Sequence, residues 1–337
     1  MIVTVTANPS NDRTVALNTP LTRGAVHRIV SVSTEPGGKG VNVARALTMA
    51  GLEAVAVLPA AADDPFVAAV AGAAVPYATV PTTSAVRTNL TITEADGTTT
   101  KLNEPGAFLG SSTLDALADA VITRARTANW VVLSGSLPPG VPDNWYAEIV
   151  AALQPLRCKV AVDTSEGPLL ALAAEFGRAA PDLIKPNSEE LASLAGRSAI
   201  ELENAVAQGD PEPVVSAASH LVELGVGAVL ATLGAAGAIL VDHAGAWLAT
   251  PAPIVPRSTV GAGDSSLAGY VRADVGGDPP PRRLQMAVAY GSAAAALPGS
   301  ALPSPADLDL DAVRVVSIFS QSPDNPAPQP HQPKEGV

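Results

Sequence analysis

Uninterrupted runs of small aliphatic residues, each followed by a helix-length amphipathic segment, recur along most of this chain, and that alternation constrains its fold more than any other feature. Strands are expected over 2–6, 53–58, 130–134, 160–163, 183–185 and 228–232. Helices are expected over 40–50, 63–71, 143–153, 168–176, from Ser188 onward behind an Asn187 cap, and over 214–224, 263–275 and 281–297. Strands separated by helices pair in parallel, with the crossovers packed on both faces of the sheet. Strands covered on both faces read as continuous apolar runs rather than alternating ones. Hydrophobic residues make up 47% of the 337 and aromatics only 3%, so Ala, Val and Leu must build that interior. The expected fold is a three-layer α/β/α arrangement around a mostly parallel central sheet.

Two segments, 12–34 and 86–103, break this rhythm. In the second, Arg87, Asn89, Thr91 and Thr93 alternate with Thr88, Leu90 and Ile92, and Ala95-Asp96-Gly97 supplies a turn. Such half-polar strands suit a small β-sheet lid rather than the core. The main domain, lid included, is expected over 1–310, and the Pro-, Gln- and Asn-rich stretch 321–337 as a disordered tail.

The formal net charge of −12 argues against sequence-independent nucleic-acid binding, which needs a basic face, and disfavours an anionic membrane surface. Its plainest role is solubility. An anionic ligand would need basic groups gathered locally. A single cysteine, Cys158, allows no intrachain disulfide and fits a reducing cytoplasm; in its apolar stretch it reads as a buried small hydrophobe. The N-terminus lacks a basic region followed by an apolar one, so no secretory leader is expected. The uncharged run 224–241 approaches membrane-spanning length, but its four glycines favour two strands joined by a turn.

Four glycine- or asparagine-bearing segments carry the chemistry. In Ser258-Thr259-Val260-Gly261-Ala262-Gly263-Asp264 a glycine turn opens a helix, so backbone N–H groups of Gly261, Ala262 and Gly263 converge on one space, an anion hole for a phosphoryl group. Asp264 is placed to take the proton of an attacking hydroxyl, with a pKa expected to be low beside a helix N-terminus. An ordinary N-cap would leave the same local pattern. Gly37-Gly38-Lys39-Gly40-Val41-Asn42 lacks Walker A spacing, yet it offers close backbone approach, a cation and, one turn on, an amide; a plain glycine turn before a helix is the alternative. Lys185-Pro186-Asn187-Ser188-Glu189-Glu190 puts Asn187 and Glu190 on one helical face, suited to Mg2+ reached largely through water, and equally to a capping box. Thr232-Leu233-Gly234-Ala235-Ala236-Gly237 either cradles a nucleotide or merely turns the chain.

All four occur in one order, and GGKGVNVA and STVGAGDSSLAGY resemble the two signatures of the PfkB branch of the ribokinase-like carbohydrate kinases. KPNSEE resembles that family's magnesium motif and TLGAAG its nucleotide loop, and the likeness extends over 1–310. It implies ATP as co-substrate with Mg2+, and nucleotide contacts from Lys185, Asn187, Thr232, Gly234, Gly237, Ser258 and Gly263. Three further pieces, Thr6-Ala7-Asn8-Pro9 with Asp12, Arg87-Thr88-Asn89, and Ser134-Gly135-Ser136-Leu137-Pro138, resemble the subgroup acting on phosphosugars. By that resemblance Asp12, Gly38, Lys39 and Asn42 hold the sugar. Arg87 with Lys39 holds its existing phosphate, Asn103 and Glu104 come from the lid edge, and Ser136 faces the same cleft. Fructose 1-phosphate, converted to fructose 1,6-bisphosphate, is the expected substrate, with tagatose 6-phosphate and fructose 6-phosphate as alternatives. Exposed lid strands in this fold pair between subunits, which implies a homodimer through the lid. Ser266 and Pro36 depart from the pattern, Ser266 standing where a larger apolar residue is usual. A nucleoside or free-sugar kinase, or a silent sugar-phosphate sensor, are the competing functions.

Overall fold

A computed structural model of the chain describes residues 1–320; the expected tail, 321–337, lies outside the described residues. Its elements begin with β1 (Ile2–Val5), β2 (Ser10–Ala16), β3 (Ser31–Gly37), α1 (Lys39–Met49), β4 (Ala54–Pro59), α2 (Pro65–Gly72) and β5 (Tyr77–Val80). They continue with β6 (Arg87–Thr93), β7 (Thr99–Asn103), α3 (Ser111–Ala125), β8 (Trp130–Ser134), α4 (Trp145–Leu153), β9 (Lys159–Asp163), α5 (Glu166–Ala173) and α6 (Phe176–Ala179). Then come β10 (Leu183–Ile184), α7 (Ser188–Ala195), α8 (Ala199–Ala207), α9 (Glu212–Glu223), β11 (Ala228–Thr232), β12 (Ala238–Asp242) and β13 (Gly245–Pro251). The described chain ends with α10 (Ala262–Val275), α11 (Pro280–Ala296) and β14 (Val313–Ser320).

Ten strands form the main sheet in the order β14-β13-β12-β11-β10-β9-β8-β1-β4-β5. From β11 through β5 every pairing is parallel; β12, β13 and β14 add antiparallel strands at one end. The inner strands β1 and β8 are buried along their whole length, which is why they read as continuous apolar runs. One face of the sheet is covered by Leu117 and Val121 of α3, Tyr146 and Val150 of α4 and Leu221 of α9. The other face is covered by Val43 and Leu47 of α1, Leu267 and Val271 of α10 and Leu284 of α11. The expected three layers are present.

β3, β2, β6 and β7 form a separate four-stranded sheet in that order, parallel between β2 and β6 and antiparallel elsewhere. β3 runs directly into α1 through Gly38, so the small sheet feeds its last residues into the cleft at the carboxyl ends of the parallel strands. That is where ligands bind in open α/β sheets.

Several elements were not anticipated. The 15-residue α3 occupies a stretch in which no element was expected, although Leu117, Val121 and Ala125 are buried at four-residue spacing. β5 is four residues long, and α8 buries only Leu202, so neither carries a strong pattern. The expected boundary at 310 falls short, because β14 pairs with β13 from Pro251↔Val313 to Gly245↔Ser320. The run 224–241 divides into β11 and β12 across Gly234 and Gly237, both at positive φ. No described helix is long and apolar enough to cross a membrane.

Candidate active site

The start of α10 forms the floor of the cleft. Gly261, at φ 77°, is its N-cap in the left-handed region, a conformation that favours glycine. Ser265 N–H returns to the Gly261 carbonyl at 2.8 Å, whereas Ala262 N–H reaches Thr259 O only at 3.4 Å. The N–H groups of Gly263 and Asp264 lie in the first turn, where the helix itself offers no acceptor. Asp264 is buried and accepts a 2.9 Å hydrogen bond from Asn42 Nδ2 of α1. It makes no capping bond, so the N-cap alternative does not hold.

The expected low pKa of Asp264 is also overturned. Burial pushes its carboxyl up to about 6, assisted by the charge of Asp163 and opposed by Lys39, Asn42 and Lys185. Desolvation outweighs the helix end because the residue is only 6% exposed and its charge loses most of its hydration. Ser266, buried on the same helix, packs against Gly291 of α11, which accounts for a small residue at that position.

Behind Asp264 lies a carboxylate the sequence did not single out. Asp163, the last residue of β9, has a fully buried side chain, and its Oδ1 stands 3.0 Å from Lys39 Nζ and 3.4 Å from Lys185 Nζ. Burial alone would raise its pKa, but the two lysines hold it below the usual carboxylate range. Burial likewise works against the charge of Lys39, yet Asp163 and Asp264 keep its pKa raised. Lys39 is thus engaged with Asp163. The usable signal was positional, an acid at the carboxyl end of an inner parallel strand.

The small sheet supplies a second cluster. Asp12 accepts from Ser10 Oγ at 2.7 Å and from Asn89 Nδ2 at 3.2 Å, and a side chain at Gly37 would collide with its carboxylate. Burial raises the Asp12 pKa, against those two hydrogen bonds and Arg87. Arg87 donates to the backbone carbonyls of Glu104 at 2.8 Å and Asn8 at 3.3 Å, while its Nε is buried without a partner. The Glu104 carboxylate accepts Thr88 N–H, so it braces the strand that carries Arg87. Asn103 is exposed at the sheet edge, in register with Asn89. Asn8, absent from the expected set, donates to Ser136 Oγ at 3.2 Å and so joins Arg87 to the Ser136 loop. A Cβ at Gly135 would lie 3.9 Å from Lys39 Cβ, which brings the two clusters to one cleft. Gly38, at φ 107°, approaches Thr6 too closely for a side chain.

On the other side, Asn187 and Glu190 form a reciprocal capping box. Asn187 Oδ1 accepts Glu190 N–H at 2.8 Å, and Glu190 Oε2 accepts Asn187 N–H at 2.9 Å. Thr232 N–H bonds to Pro186 O and Thr232 bridges to Asn187, so the Lys185 and Gly234 loops are zipped together. Gly237 passes so close to the Ala249 carbonyl that only glycine fits. Ser258 Oγ accepts Val260 N–H at 3.2 Å and shapes the turn before Gly261. Lys185 Nζ lies 3.2 Å from the site of a Cβ on Gly263, at the mouth of α10.

The family model described as pfkB family carbohydrate kinase matches residues 7–307. The chain belongs to the pfkB family of carbohydrate kinases. It is 37% identical over 309 residues to the 1-phosphofructokinase of Rhodobacter capsulatus, covering 90% of this chain and 93% of that protein. It is 33% identical over 305 residues to ATP-dependent 6-phosphofructokinase isozyme 2 of Escherichia coli, covering 89% and 94%. The crystal structure of Escherichia coli phosphofructokinase-2 in complex with substrates and products superposes with a TM-score of 0.82 at 32% identity, covering 91% of this chain and 96% of that one. A ribokinase from Thermotoga maritima shares the fold at a TM-score of 0.70. As a pfkB kinase the chain takes ATP as co-substrate.

Proposed function

We propose that this pfkB kinase transfers the γ-phosphoryl group of ATP to a hydroxyl of a phosphosugar, with fructose 1-phosphate as the first candidate and fructose 1,6-bisphosphate as product. The observation that carries this reading is Arg87. Its guanidinium is oriented by two carbonyls, its Nε is unsatisfied, and it rises from the small sheet and not from the loop that carries Lys185. A buried unpartnered donor on a cation suits an anion that arrives with the sugar, separate from the nucleotide phosphates. The relatives named 1-phosphofructokinase favour fructose 1-phosphate; fructose 6-phosphate and tagatose 6-phosphate are the alternatives.

In this reading the acceptor hydroxyl lies against Asp264. With a pKa near 6 the carboxyl is ionised at neutral pH yet basic enough to take the hydroxyl proton as the oxygen bonds to phosphorus. The γ-phosphorus–oxygen bond to ADP breaks, and the N–H groups at the start of α10, together with Lys185, face the charge spread over the transferring group. Asp12 and Asn89 orient the sugar hydroxyls. The small sheet closes over the sugar as a lid.

Asn187 and Glu190 fit a magnesium ion of the kind that arrives on nucleotide phosphates. One oxygen of Glu190 is spent on the cap and the other carries no hydrogen bond, and no three acidic or histidine residues form a cage among the described residues. Such sparse carboxylate ligation, completed by water and phosphate, is usual for magnesium. When bound, the ion offsets the charge on the nucleotide phosphate oxygens.

A coupled ADP-release assay with ATP and magnesium tests the reading across fructose 1-phosphate, fructose 6-phosphate, tagatose 6-phosphate, free fructose, ribose and adenosine. The phosphosugars are expected to lead, and preference for ribose or adenosine would sink the proposal. Arg87→Met is expected to raise the KM for the phosphosugar roughly tenfold to a hundredfold while leaving that for ATP in place. A sensor that binds phosphosugars without ADP release would replace the kinase reading.

We further infer a homodimer through the small sheet and a cytoplasmic location, the latter consistent with a lone buried Cys158. The outer face of the small sheet bears an apolar groove of about 620 Å3, lined by Val15, Leu17, Leu90, Ile92 and Leu102. Light scattering after size exclusion should give twice the chain mass, and Leu90→Asp with Leu102→Asp should return it to the monomer value.

A further inference from the structure

We propose that Asp163 is a positioning residue that serves both halves of the cleft, holding Lys39 of the sugar loop and Lys185 of the nucleotide loop on one carboxylate oxygen. The proposal rests on the kinase reading with Asp264 as base.

The two lysines come from segments far apart in sequence. Lys39 opens α1 directly after the glycine turn that seats Asp12, and Lys185 follows β10 and ends beside Gly263. Two ammonium groups converging on one point repel unless an anion lies between them, and Asp163 is that anion, at 3.0 Å and 3.4 Å. Lys185 is only 6% exposed, so it has little water to fall back on. The main chain of Asp163 does related work. Its carbonyl accepts Gly135 N–H, and the Gly135 carbonyl in turn receives the hydroxyls of Tyr146 and Thr164, both at 2.9 Å. The loop carrying Ser136 is therefore anchored to the same residue that sets the lysines.

Asp163 Oδ2 is buried and has no hydrogen-bond partner, as has Ser134 Oγ, its register neighbour on β8. A purely structural ion pair gains by saturating both oxygens, and an unsaturated buried carboxylate points to a functional demand. Part of that demand is electrostatic. The groups facing Asp264 are Lys39 and Asn42 from α1, Lys185 from the segment after β10, and Asp163 from β9; Glu190 of α7 acts on Lys39 in turn. Among these, Asp163 is the one that pushes the Asp264 carboxyl upward.

Asp163→Asn keeps the volume and one acceptor oxygen but removes the charge. In the folded variant the KM values for ATP and sugar should both rise roughly tenfold or more, because each lysine loses its charged anchor. The acidic limb of the kcat/KM–pH profile should move downward by roughly one unit, because the like charge beside Asp264 is gone and Lys39 is released toward it. Titration of the phosphosugar itself is common to both enzymes and drops out of the comparison. Asp163→Glu, which keeps the charge one methylene further out, should leave the limb in place and still raise both KM values. Measurements use whichever sugar the wild-type enzyme turns over fastest, so a mistaken sugar assignment would show in the wild type and not here. A folded Asn variant with both KM values and the limb unchanged would overturn the proposal. If the Asn variant does not fold, unchanged KM values in the Glu variant would do the same, and failure of both to fold would assign Asp163 to stability alone.

Discussion

Asp264→Asn is expected to lower kcat by roughly a hundredfold to ten-thousandfold while leaving the protein at least as stable as the wild type at pH 8. The activity loss follows from replacing the proton acceptor with an amide of the same shape. The stability gain follows from burial. The folded-state pKa of about 6 lies above the ordinary carboxyl value of 3.8, so between those pH values the native state binds more protons than the unfolded chain. Stability contributed by the protonated carboxyl is therefore present below pH 4 and is lost as the pH rises through about 6. Above that window the buried charge costs on the order of 3 kcal/mol, which the amide does not incur. Thermal melts from pH 4 to 8 should show a flatter profile for the variant over this range, alongside a turnover assay at saturating substrates. Near-normal turnover would remove Asp264 from the chemistry. A lower melting temperature at pH 8 would mean that the carboxylate stabilises the fold through Asn42 and Lys39.

This pairing of lost activity with retained stability also shows where the sequence stops being informative. The glycine turns at 37–38 and 261–263 were legible because few backbones need such residues, and the structure places them where a side chain would strike Asp12 or Thr6 or crowd Lys185. The Asn187–Glu190 spacing was legible as a pair, and the capping box is formed. By contrast the protonation of Asp264 depends on burial among Asn42, Lys39 and Asp163, residues up to 225 positions away in sequence, and a local argument from the helix end gave the wrong sign. Asp163 was missed because an Asp closing a β-run looks like any turn residue; only the convergence of two lysines distinguishes it. β14 was missed because it follows the last helices and joins an edge created by β13, a contact fixed by tertiary structure and not by local pattern.

The opposite end of the same strands should respond in the reverse sense: Asp274→Ala is expected to cost about 3 kcal/mol of stability and to spare catalysis. Asp274, near the end of α10, has a side chain only 5% exposed. It accepts hydrogen bonds from Trp130 Nε1 and Lys159 Nζ and pairs with the Arg283 guanidinium, at 2.8 Å each, and so ties the first residues of β8 and β9 to α10 and α11. Lys159 also lies 5.4 Å from the centre of the Trp130 ring, where the ring face favours a cation. Removing the carboxylate leaves a buried indole N–H without an acceptor and frees two cations, one of which, Lys159, regains water because it is already 46% exposed. That partial recovery is why the lower end of the cost for breaking a buried ion pair applies. The site lies at Ser134 and Asp163, at the far ends of these five-residue strands and ~13 Å away along them. KM and kcat of the folded fraction at 25 °C should therefore match the wild type while the urea midpoint falls. Arg178→Ala, which removes two equally short but exposed ion pairs to Glu148 and Glu175, should leave the midpoint where it was. If Asp274→Ala instead lowered kcat without moving the midpoint, the two ends of β8 and β9 would be coupled, and the separation of scaffold from chemistry along these strands would fail.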